Sequence, residues 1–370
     1  MHRFARICLT ALALLAAHST PAQIRIGQTA GFTGAVGAGV KETTLGAQLL
    51  INAVNSRGGI HGQKIELISL DDKFDPKLAA TNAQQLIEVE EVLALFLNRG
   101  TPHTEAIIPL LDKHGVALVA PSTGAMLLHQ PVKKHVFNVR ATYQREAEKA
   151  VQHLVSVGIQ RISLVQVDDS FGADAMVGAQ KGLAAAKIQP LTADKFDRAK
   201  PDFSAIAPAI ARANAQAVFM LGSGSAVVEG VRALRAAGSN AQVVTLSNNA
   251  SSGFITSLGT QAQGVIVTQV FPNERSIAYP LVKEAQELAR AQKLEGVSPA
   301  MLEGFAGAKV LIEALRKAGP KFTREKVQSA LESMRKLDIG GLDISYGPDD
   351  HTGLDFAALS IIGSDGKFRR

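Results

Sequence analysis

The sequence predicts an α/β fold in which mostly parallel sheets are flanked by helices on both faces. Three observations lead to this prediction. Short segments typical of strands alternate with longer segments whose apolar residues have helical spacing, along nearly the whole chain. The chain has 370 residues, which at roughly 150 residues per domain predicts two domains. Its composition, 46% hydrophobic and 19% charged, allows a large core and disfavours disorder.

The first part of the chain shows this alternation clearly. Asp75 and Pro76 mark the start of one helix, since aspartate caps free N–H groups and proline loses no hydrogen bond in a first helical turn. Gly58 and Gly59 mark the end of an earlier helix. Strands are predicted at residues 24–27, 64–70, 92–97 and 116–120. Helices are predicted at residues 45–54, from 75 onward, and at 103–114.

The same rhythm returns in the second part of the chain. Strands are predicted at residues 161–167, 217–221, 242–246 and 264–270. Helices are predicted between them at residues 146–157, 172–186, 203–213 and 225–237. Three consecutive helices follow at 276–292, 299–317 and 323–333, and short strands close the chain near 342–346 and 356–362. Strands that alternate with helices favour parallel pairing.

Residues 1–22 have the pattern of a secretory signal peptide. A basic head, Met1–Arg6, precedes an apolar run, Ile7–Ala17, and small residues at Thr20–Ala22. The run is too short to span a bilayer, which disfavours a membrane anchor. The only cysteine, Cys8, lies within this run and not at the cleavage site. The mature chain is therefore predicted to be exported and periplasmic, without a lipid anchor, a thiol or a disulfide.

The charge distribution argues against a nucleic-acid partner, and the length of the apolar runs argues against a membrane-spanning helix. The formal net charge is +6, and Arg3 and Arg6 of the predicted signal peptide contribute two of these units. The densest basic segments, residues 133–134 and 367–370, are short and are predicted to be solvated surface, whereas a nucleic-acid stripe is denser and interleaved with aromatic residues. No later apolar run approaches the ~20 residues of a membrane-spanning helix.

Polar loops follow five of the predicted strands and define the candidate site, because parallel sheets bind ligands beyond the carboxyl ends of their strands. The loops span residues 98–102, 121–124, 168–172, 222–225 and 247–249. Hydroxyl, amide and glycine residues dominate four of them. The helix that begins near Thr101 offers free N–H groups and a positive dipole end to a carboxylate. The alternative interpretation is that Thr101, Ser122 and Ser225 only cap helices.

Patterns typical of catalysis are weak in this sequence. Residues 222–226 do not form a Gly-x-Ser-x-Gly elbow, and the histidines show no pair at metal-binding spacing with nearby acids. The glycines of residues 27–34 lack dinucleotide-binding spacing. The acid pairs 71–72 and 168–169 are interpreted as loop and cap residues. The alternative interpretation, a catalytic carboxylate pair or a divalent-ion site, is less favoured. No catalytic residue, metal or cofactor is predicted, and the chain is not expected to be an enzyme.

Several short segments, taken in their order and spacing, carry a family resemblance. They are Phe32–Gly34, Gly46–Gln48, Val54–Gly62, Asp71–Pro76, Gly100–Pro102, Ala120–Thr123 and Asp168–Gly172. Across essentially the whole mature chain, the sequence resembles the periplasmic solute-binding proteins of branched-chain amino-acid ABC importers, the leucine/isoleucine/valine-binding group. The family implies two Rossmann-like lobes joined by three crossings, the type I periplasmic binding fold. The lobes would be residues 24–140 plus 271–345 and 141–270 plus 346–370, with a cleft that closes on the ligand.

The resemblance also implies ligand contacts, residue by residue. Thr101 matches the hydroxyl that holds the ligand carboxylate. Ser122 and Thr123 match a loop that holds the carboxylate and the amino group, and Phe171 matches an aromatic that closes from lobe 2. The complete set of candidate ligand-binding residues is Gly100, Thr101, Ser122, Thr123, Phe171, Ser223, Ser225, Ser247 and Asn248.

Three positions depart from the family pattern. The acid that pairs with the ligand ammonium falls at Ser247, beside Asn248, and two pocket aromatics fall at Gly39 and Gly224. A buried ammonium without a carboxylate partner is costly. The sequence therefore leaves open an amino acid and a larger or non-amino ligand, such as an aromatic or aliphatic carboxylate or an amide.

Together these observations predict a periplasmic binding protein that delivers a small carboxylate-bearing solute to an inner-membrane ABC permease and acts as a monomer. The alternative is a periplasmic ligand sensor of the same fold that feeds a signalling receptor. An exported hydrolase is disfavoured because the sequence offers no nucleophile–base arrangement. A DNA-binding regulator would carry a helix-turn-helix where this chain has its predicted signal peptide.

Overall fold

The first of two central sheets is built from the N-terminal part of the chain. The computed structural model describes residues 23–369, and the predicted signal peptide, residues 1–22, lies outside them. The strands are β1 (Ile24–Ala30), β2 (Ile65–Asp71), β3 (Ala94–Phe96), β4 (Leu118–Val119) and β5 (Val136–Phe137). They lie in the order β2-β1-β3-β4-β5. Every pair in this sheet is parallel, as the alternation of strands and helices predicts.

The second sheet is mostly parallel and has an antiparallel edge. Its first five strands are β6 (Ile162–Val167), β7 (Ala193–Phe196), β8 (Ala217–Leu221), β9 (Gln242–Thr245) and β10 (Ile266–Gln269). A separate antiparallel pair, β11 (Leu337–Asp338) and β12 (Asp343–Ile344), follows in the chain. The last strands are β13 (Ala358–Ile362) and β14 (Phe368–Arg369). The order is β14-β13-β10-β9-β8-β6-β7, with β13 and β14 antiparallel to their neighbours.

Helices cover the faces of both sheets. In chain order they are α1 (Gly37–Ser56), α2 (Pro76–Glu88), α3 (Thr101–His114), α4 (Tyr143–Ser156), α5 (Ser170–Ala185), α6 (Ile206–Arg212), α7 (Ser225–Ala236), α8 (Ser252–Leu258), α9 (Pro280–Ala291), α10 (Pro299–Ala318) and α11 (Arg324–Glu332). The predicted cap at Asp75 is confirmed, since its carboxylate accepts the Lys77 N–H at 2.8 Å at the start of α2. Within residues 23–369, none of these helices is long and apolar enough to cross a membrane.

Separate apolar cores support a division of the chain into two lobes. The first core, around Phe96 and Phe305, packs the first sheet against α1, α9, α10 and α11. A smaller cluster formed with α2 and α3 covers the opposite face of that sheet. The second core, around Phe219, packs the second sheet against α4 to α8. This arrangement confirms the predicted fold class of two α/β lobes with mostly parallel sheets flanked by helices.

We propose lobe 1 as residues 24–140 plus 271–345 and lobe 2 as residues 141–270 plus 346–370, with one refinement. Tyr346 and Leu354 are buried in the first core, whereas Ile362 is buried in the second. We therefore assign residues 346–354 to lobe 1, so that the third crossing lies just before β13.

Two local expectations are corrected. Helix α1 begins at Gly37 and not at residue 45, because its first two turns contain few apolar residues and give no helical pattern. The tail 367–370, predicted to be solvated surface, contains strand β14. Phe368 there is 3% exposed and covers the second core, while Lys367 and Arg369 on either side of it are exposed. This alternation is that of a short edge strand.

Candidate functional site

The strand-end loops of lobe 1 meet those of lobe 2 across an interlobe cleft. Arg99, in the loop after β3, donates from Nη2 to the main-chain oxygen of Asn248, after β9, at 2.5 Å. The Ser225 N–H of lobe 2 donates to the Ala35 oxygen of lobe 1 at 3.1 Å. The predicted loops at residues 98–102 and 247–249 therefore face one another, and groups from both lobes can reach the same ligand.

The main chain turns sharply where the lobe 1 loops leave the sheet. Leu97 and Ala120, which follow β3 and β4, both have a φ of 52°. This left-handed conformation costs a non-glycine residue roughly 1–2 kcal/mol. Beyond these residues, Arg99 and Ser122 form a parallel bridge that keeps the two loops side by side. Such strain is concentrated at functional sites, where the surrounding structure holds it in place.

Buried hydroxyl groups line the lobe 1 side of the cleft. The Oγ1 atoms of Thr101 and Thr123 lie 2.7 Å apart, and Arg99 Nη1 donates to Ser122 Oγ at 3.1 Å. Each of these three hydroxyl residues is at most 1% exposed. A hydroxyl pair uses one of its two O–H donors internally, so the other O–H can donate to a ligand.

The alternative interpretation, that Thr101, Ser122 and Ser225 cap helices, is wrong. Gly100, with a φ of 100°, is the cap residue of α3, and Thr101 is the first residue inside the helix. In the same way Gly224 precedes α7, and the exposed Ser225 begins it. Ser122 lies in the bridge with Arg99 and not at a helix start. These hydroxyl groups are therefore not used as caps.

The lobe 2 side presents an amide and two serines. Asn248 Nδ2 donates to Ser223 Oγ at 2.8 Å and to the Gly222 oxygen at 3.0 Å. Ser247 Oγ accepts from Arg140 Nη2 at 2.7 Å. The structure thus joins Ser122, Arg99, Asn248 and Ser223 in one hydrogen-bond chain that crosses the cleft.

Two aromatic contacts involve the segments that follow β2 and β6. Phe171, at the start of α5, is buried and packs edge-on against Tyr143 with ring centroids 4.8 Å apart. Asp169 fixes the start of α5 by accepting the Phe171 N–H at 2.9 Å, which confirms its interpretation as a cap residue. Arg198 of lobe 2 lies over the ring of Phe74 in lobe 1, 4.8 Å from its centroid.

Arg99 is a functional candidate that the sequence did not single out. Its side chain is buried, with 5% of the residue exposed. No carboxylate lies within 4.0 Å of its guanidinium among the described residues, although seven other arginines and four lysines of that part of the chain have such a partner. Burial lowers the pKa of Arg99, but a guanidinium stays charged in proteins. An arginine directly after a buried strand was the only signal available.

A second buried arginine, Arg140, lies at the first crossing between the lobes. It forms ion pairs with Glu146 and, through Nη1, with Glu303 at 3.6 Å. Glu146 also accepts the Ser247 N–H at 3.0 Å and the hydroxyl proton of Thr268. Burial opposes the charge of Arg140, but Glu146 and Glu303 outweigh it and raise the pKa of Arg140 above its ordinary value. This cluster occupies the neighbourhood of Ser247, where the family resemblance places an acid.

A half-enclosed cavity of about 160 Å³ extends from Arg99 and Asn248 between the lobes. Its apolar walls include Val36, Val228 and Phe254. Gly39 lies on this cavity with room for a side chain, since its nearest neighbour would be 3.7 Å from an added Cβ. Gly224 has no such room, because a Cβ there would lie 1.8 Å from the Ala35 oxygen. Of the two positions where the resemblance places aromatics, Gly39 therefore leaves space in the cleft, whereas Gly224 lets the main chains of the two lobes touch.

Two α/β lobes with polar strand-end loops facing a shared cleft define a two-lobed solute-binding protein. The chain belongs to the periplasmic binding protein family, whose family model matches residues 23–366. The family is one of solute-binding proteins, related to the branched-chain amino-acid binding proteins of ABC transporters. This membership confirms the resemblance that the sequence segments carry.

Individual relatives agree with the family assignment. The leucine-specific-binding protein of Salmonella typhimurium is 22% identical over 304 residues, which cover 82% of this chain and 79% of that protein. A substrate-binding periplasmic protein from Ralstonia solanacearum has a TM-score of 0.84 at 28% identity and covers 94% of this chain and 99% of its own. A possible leucine/isoleucine/valine-binding protein from Rhodopirellula baltica has a TM-score of 0.86 at 26% identity, covering 95% and 98%.

Proposed function

We propose that this chain is the periplasmic substrate-binding component of an ABC importer and captures a small carboxylate-bearing solute in the interlobe cleft. The observation that carries the proposal is the hydrogen-bond chain from Ser122 through Arg99 to Asn248, which unites the two lobes around buried polar groups. Family membership and the names of the relatives support a role in solute uptake.

In the proposed mechanism, the open cleft admits the ligand to lobe 1 first. The hydroxyl groups of Thr101, Ser122 and Thr123 and the guanidinium of Arg99 receive its carboxylate. Lobe 2 then closes by rotation at the three crossings and brings Phe171 and Asn248 against the ligand. Closure removes water, which strengthens each of these polar contacts. The closed monomer delivers its ligand to an inner-membrane permease.

A thermal-shift screen of the mature protein tests the binding function. Amino acids, aromatic acids, dicarboxylates and amides are compared, and a true ligand raises the melting temperature as its concentration exceeds the dissociation constant. Mass spectrometry of the recovered ligand tests for turnover, and the proposal expects the ligand to be unchanged. The proposal fails if no compound of these classes raises the melting temperature or if the bound compound is converted.

The variant Thr101→Ala tests the lobe 1 contact. Loss of a hydroxyl that donates to a charged group is expected to weaken a carboxylate ligand by roughly 10-fold or more in isothermal titration calorimetry. Thr101→Ser keeps the hydroxyl and is the matched control, expected to bind within a few-fold of the wild type. Equal affinity of Thr101→Ala and the wild type would exclude this role of Thr101.

A further inference from the structure

We infer that the ligand is a carboxylate without an α-ammonium group, and that the Arg99 guanidinium is the counter-ion of its carboxylate. This inference rests on the proposed function, since it names the chemical class that the cleft admits. Three features carry it: an arginine without a carboxylate within 4.0 Å among the described residues, acids that already pair with arginines, and a cavity with partly apolar walls beside the arginine.

Arg99 provides a buried positive charge that the described part of the chain leaves without a carboxylate within 4.0 Å. Its two observed acceptors, Ser122 Oγ and the Asn248 oxygen, are neutral. A guanidinium has five N–H donors, so three of them remain for a ligand in addition to these two bonds. A buried cation without a counter-ion is strongly unfavourable, and an anionic ligand that pairs with it removes that cost.

The acids near the cleft already have arginine partners. Glu146 is hydrogen-bonded to Arg140, and Asp169 pairs with Arg198 while it caps α5. Glu303 Oε1 lies 3.6 Å from Arg140 Nη1, which makes an ion pair without a hydrogen bond. Glu146 also accepts the Ser247 N–H and the Thr268 hydroxyl proton, which occupies its second oxygen. An ammonium group that approaches these acids would therefore compete with a guanidinium already in place.

Position 247 shows this competition directly. Its serine oxygen accepts from Arg140 at 2.7 Å, so a guanidinium already occupies that hydroxyl. An ammonium placed there would be repelled by Arg140, and the Glu146 carboxylate at this position already accepts hydrogen bonds from Arg140, Thr268 and the Ser247 N–H. The charges around the cleft thus favour the carboxylate end of a ligand and disfavour an ammonium next to it.

The cavity beside Arg99 indicates the size of the rest of the ligand. It measures about 160 Å³ and is walled in part by Val36, Val228 and Phe254. For scale, a cavity of roughly 150 Å³ accommodates a molecule the size of benzene. The ligand is therefore expected to carry a phenyl ring or a branched alkyl group on its carboxylate.

Matched ligand pairs test the inference. Isocaproate is leucine without its ammonium group, and hydrocinnamate is phenylalanine without its ammonium group. Titration calorimetry on the mature wild-type protein is expected to show each ammonium-free acid bound at least about tenfold more tightly than its amino acid. An amino acid that binds as tightly as its ammonium-free partner overturns the inference and leaves the proposed function intact. Absence of binding throughout the thermal-shift screen overturns the proposed function itself.

The variant Arg99→Gln tests the counter-ion, with the neutral amide isocaproamide as a second ligand. Loss of the charge pair is expected to weaken the binding of isocaproate by roughly 30-fold or more. The affinity for the amide is expected to change far less, so the variant loses its preference for the acid over the amide. If Arg99 only bridges the lobes, both compounds weaken alike, and the inference is overturned. Arg99→Lys keeps the charge and is expected to retain part of the preference, and a melting curve verifies that each variant folds.

Discussion

Burial of individual ionisable side chains gives the molecule a pH-dependent stability. Burial lowers the pKa of His103 and of His129 to about 4, so both imidazoles are neutral in the folded protein. Burial raises the pKa of Asp72 to about 6. The unfolded chain binds protons to the histidines below about pH 6.5, so their contribution to stability is lost as the pH falls toward 4. The contribution of Asp72 to the pH dependence has the opposite sign. Its carboxyl group is protonated in the folded protein below about pH 6, and stability is lost as the pH rises and the buried group must ionise.

The variant His129→Phe isolates one of these contributions. His129 is 3% exposed, and neither ring nitrogen has a hydrogen-bond partner among residues 23–369, so phenylalanine fits the chemistry of the site. Between pH 7 and pH 5.5, the variant is expected to lose about 1 kcal/mol less of its free energy of unfolding than the wild type does. Urea unfolding at the two pH values measures this difference. The same change at the exposed His153 is the control, and equal pH slopes for wild type and His129→Phe would contradict the prediction.

Single residues at strand ends were partly predictable from the sequence. Thr101, Ser122 and Thr123 follow short apolar strands, and the parallel arrangement brings such positions to one edge of the sheet. Arg99 differs because its burial depends on Asn248, which lies 149 residues later in the chain. Local pattern carries no information about such a contact, so the sequence placed the arginine in the loop without predicting its role.

At the scale of elements, a close contact between the two long helices α1 and α10 shapes lobe 1. Gly46 of α1 faces Met301 of α10, and an added Cβ would lie 1.9 Å from the Met301 oxygen. Gly304 of α10 faces Thr43 in the same way, at 1.8 Å from its oxygen. The two glycines therefore allow the helix backbones to touch, although glycine lowers the helix propensity of each.

The variant Gly46→Ala is expected to destabilise the protein despite the higher helix propensity of alanine. A Cβ at that distance forces the helices apart, and overpacking of this kind costs roughly 1–3 kcal/mol or more. Urea unfolding at constant pH measures the loss. Gly296→Ala is the control, because an added Cβ there meets no atom within 4 Å and its φ is not positive. A Gly46→Ala variant as stable as Gly296→Ala would contradict the packing argument.

The longer elements were predicted from the sequence and several short ones were not. Helices of regular apolar spacing, such as α9 and α10, appear within a few residues of the predicted bounds. Strand β5 has two residues and β7 is mostly exposed, so neither has an apolar pattern long enough to be recognised. Helix α8 has seven residues and is held by tertiary contacts more than by its own sequence.

At the scale of the whole molecule, a contact between the lobes at the edge of the cleft joins α1 to α8. Glu42 of α1 in lobe 1 accepts the N–H groups of Ser252 and Gly253, at the start of α8 in lobe 2, at 3.0 and 2.8 Å. The two-lobed plan followed from chain length, strand alternation and the family resemblance. These contacts did not, because they join residues more than 200 positions apart.

The contact of Glu42 leads to a prediction about closure. If the lobes open to admit ligand, the hydrogen bonds from the α8 N–H groups to the Glu42 carboxylate break. These bonds therefore stabilise the closed form relative to the open form. A ligand that requires the closed form binds with an apparent affinity reduced by the fraction of molecules that close. Glu42→Ala is therefore expected to weaken ligand binding by roughly 3- to 10-fold although Glu42 is separated from Arg99 and the hydroxyl loops.

Titration calorimetry with the ligand from the thermal-shift screen measures that loss, and small-angle scattering follows compaction as ligand is added. The midpoint of compaction is expected to shift with the affinity, while the fully liganded radius of gyration stays at the wild-type value. Glu287→Ala removes an exposed acid from α9 of the same lobe and serves as the control for charge. The prediction requires that the two hydrogen bonds of Glu42 form only in the closed protein. An unchanged affinity of Glu42→Ala would contradict it, and would show that these bonds persist in the open form or are replaced by water without cost.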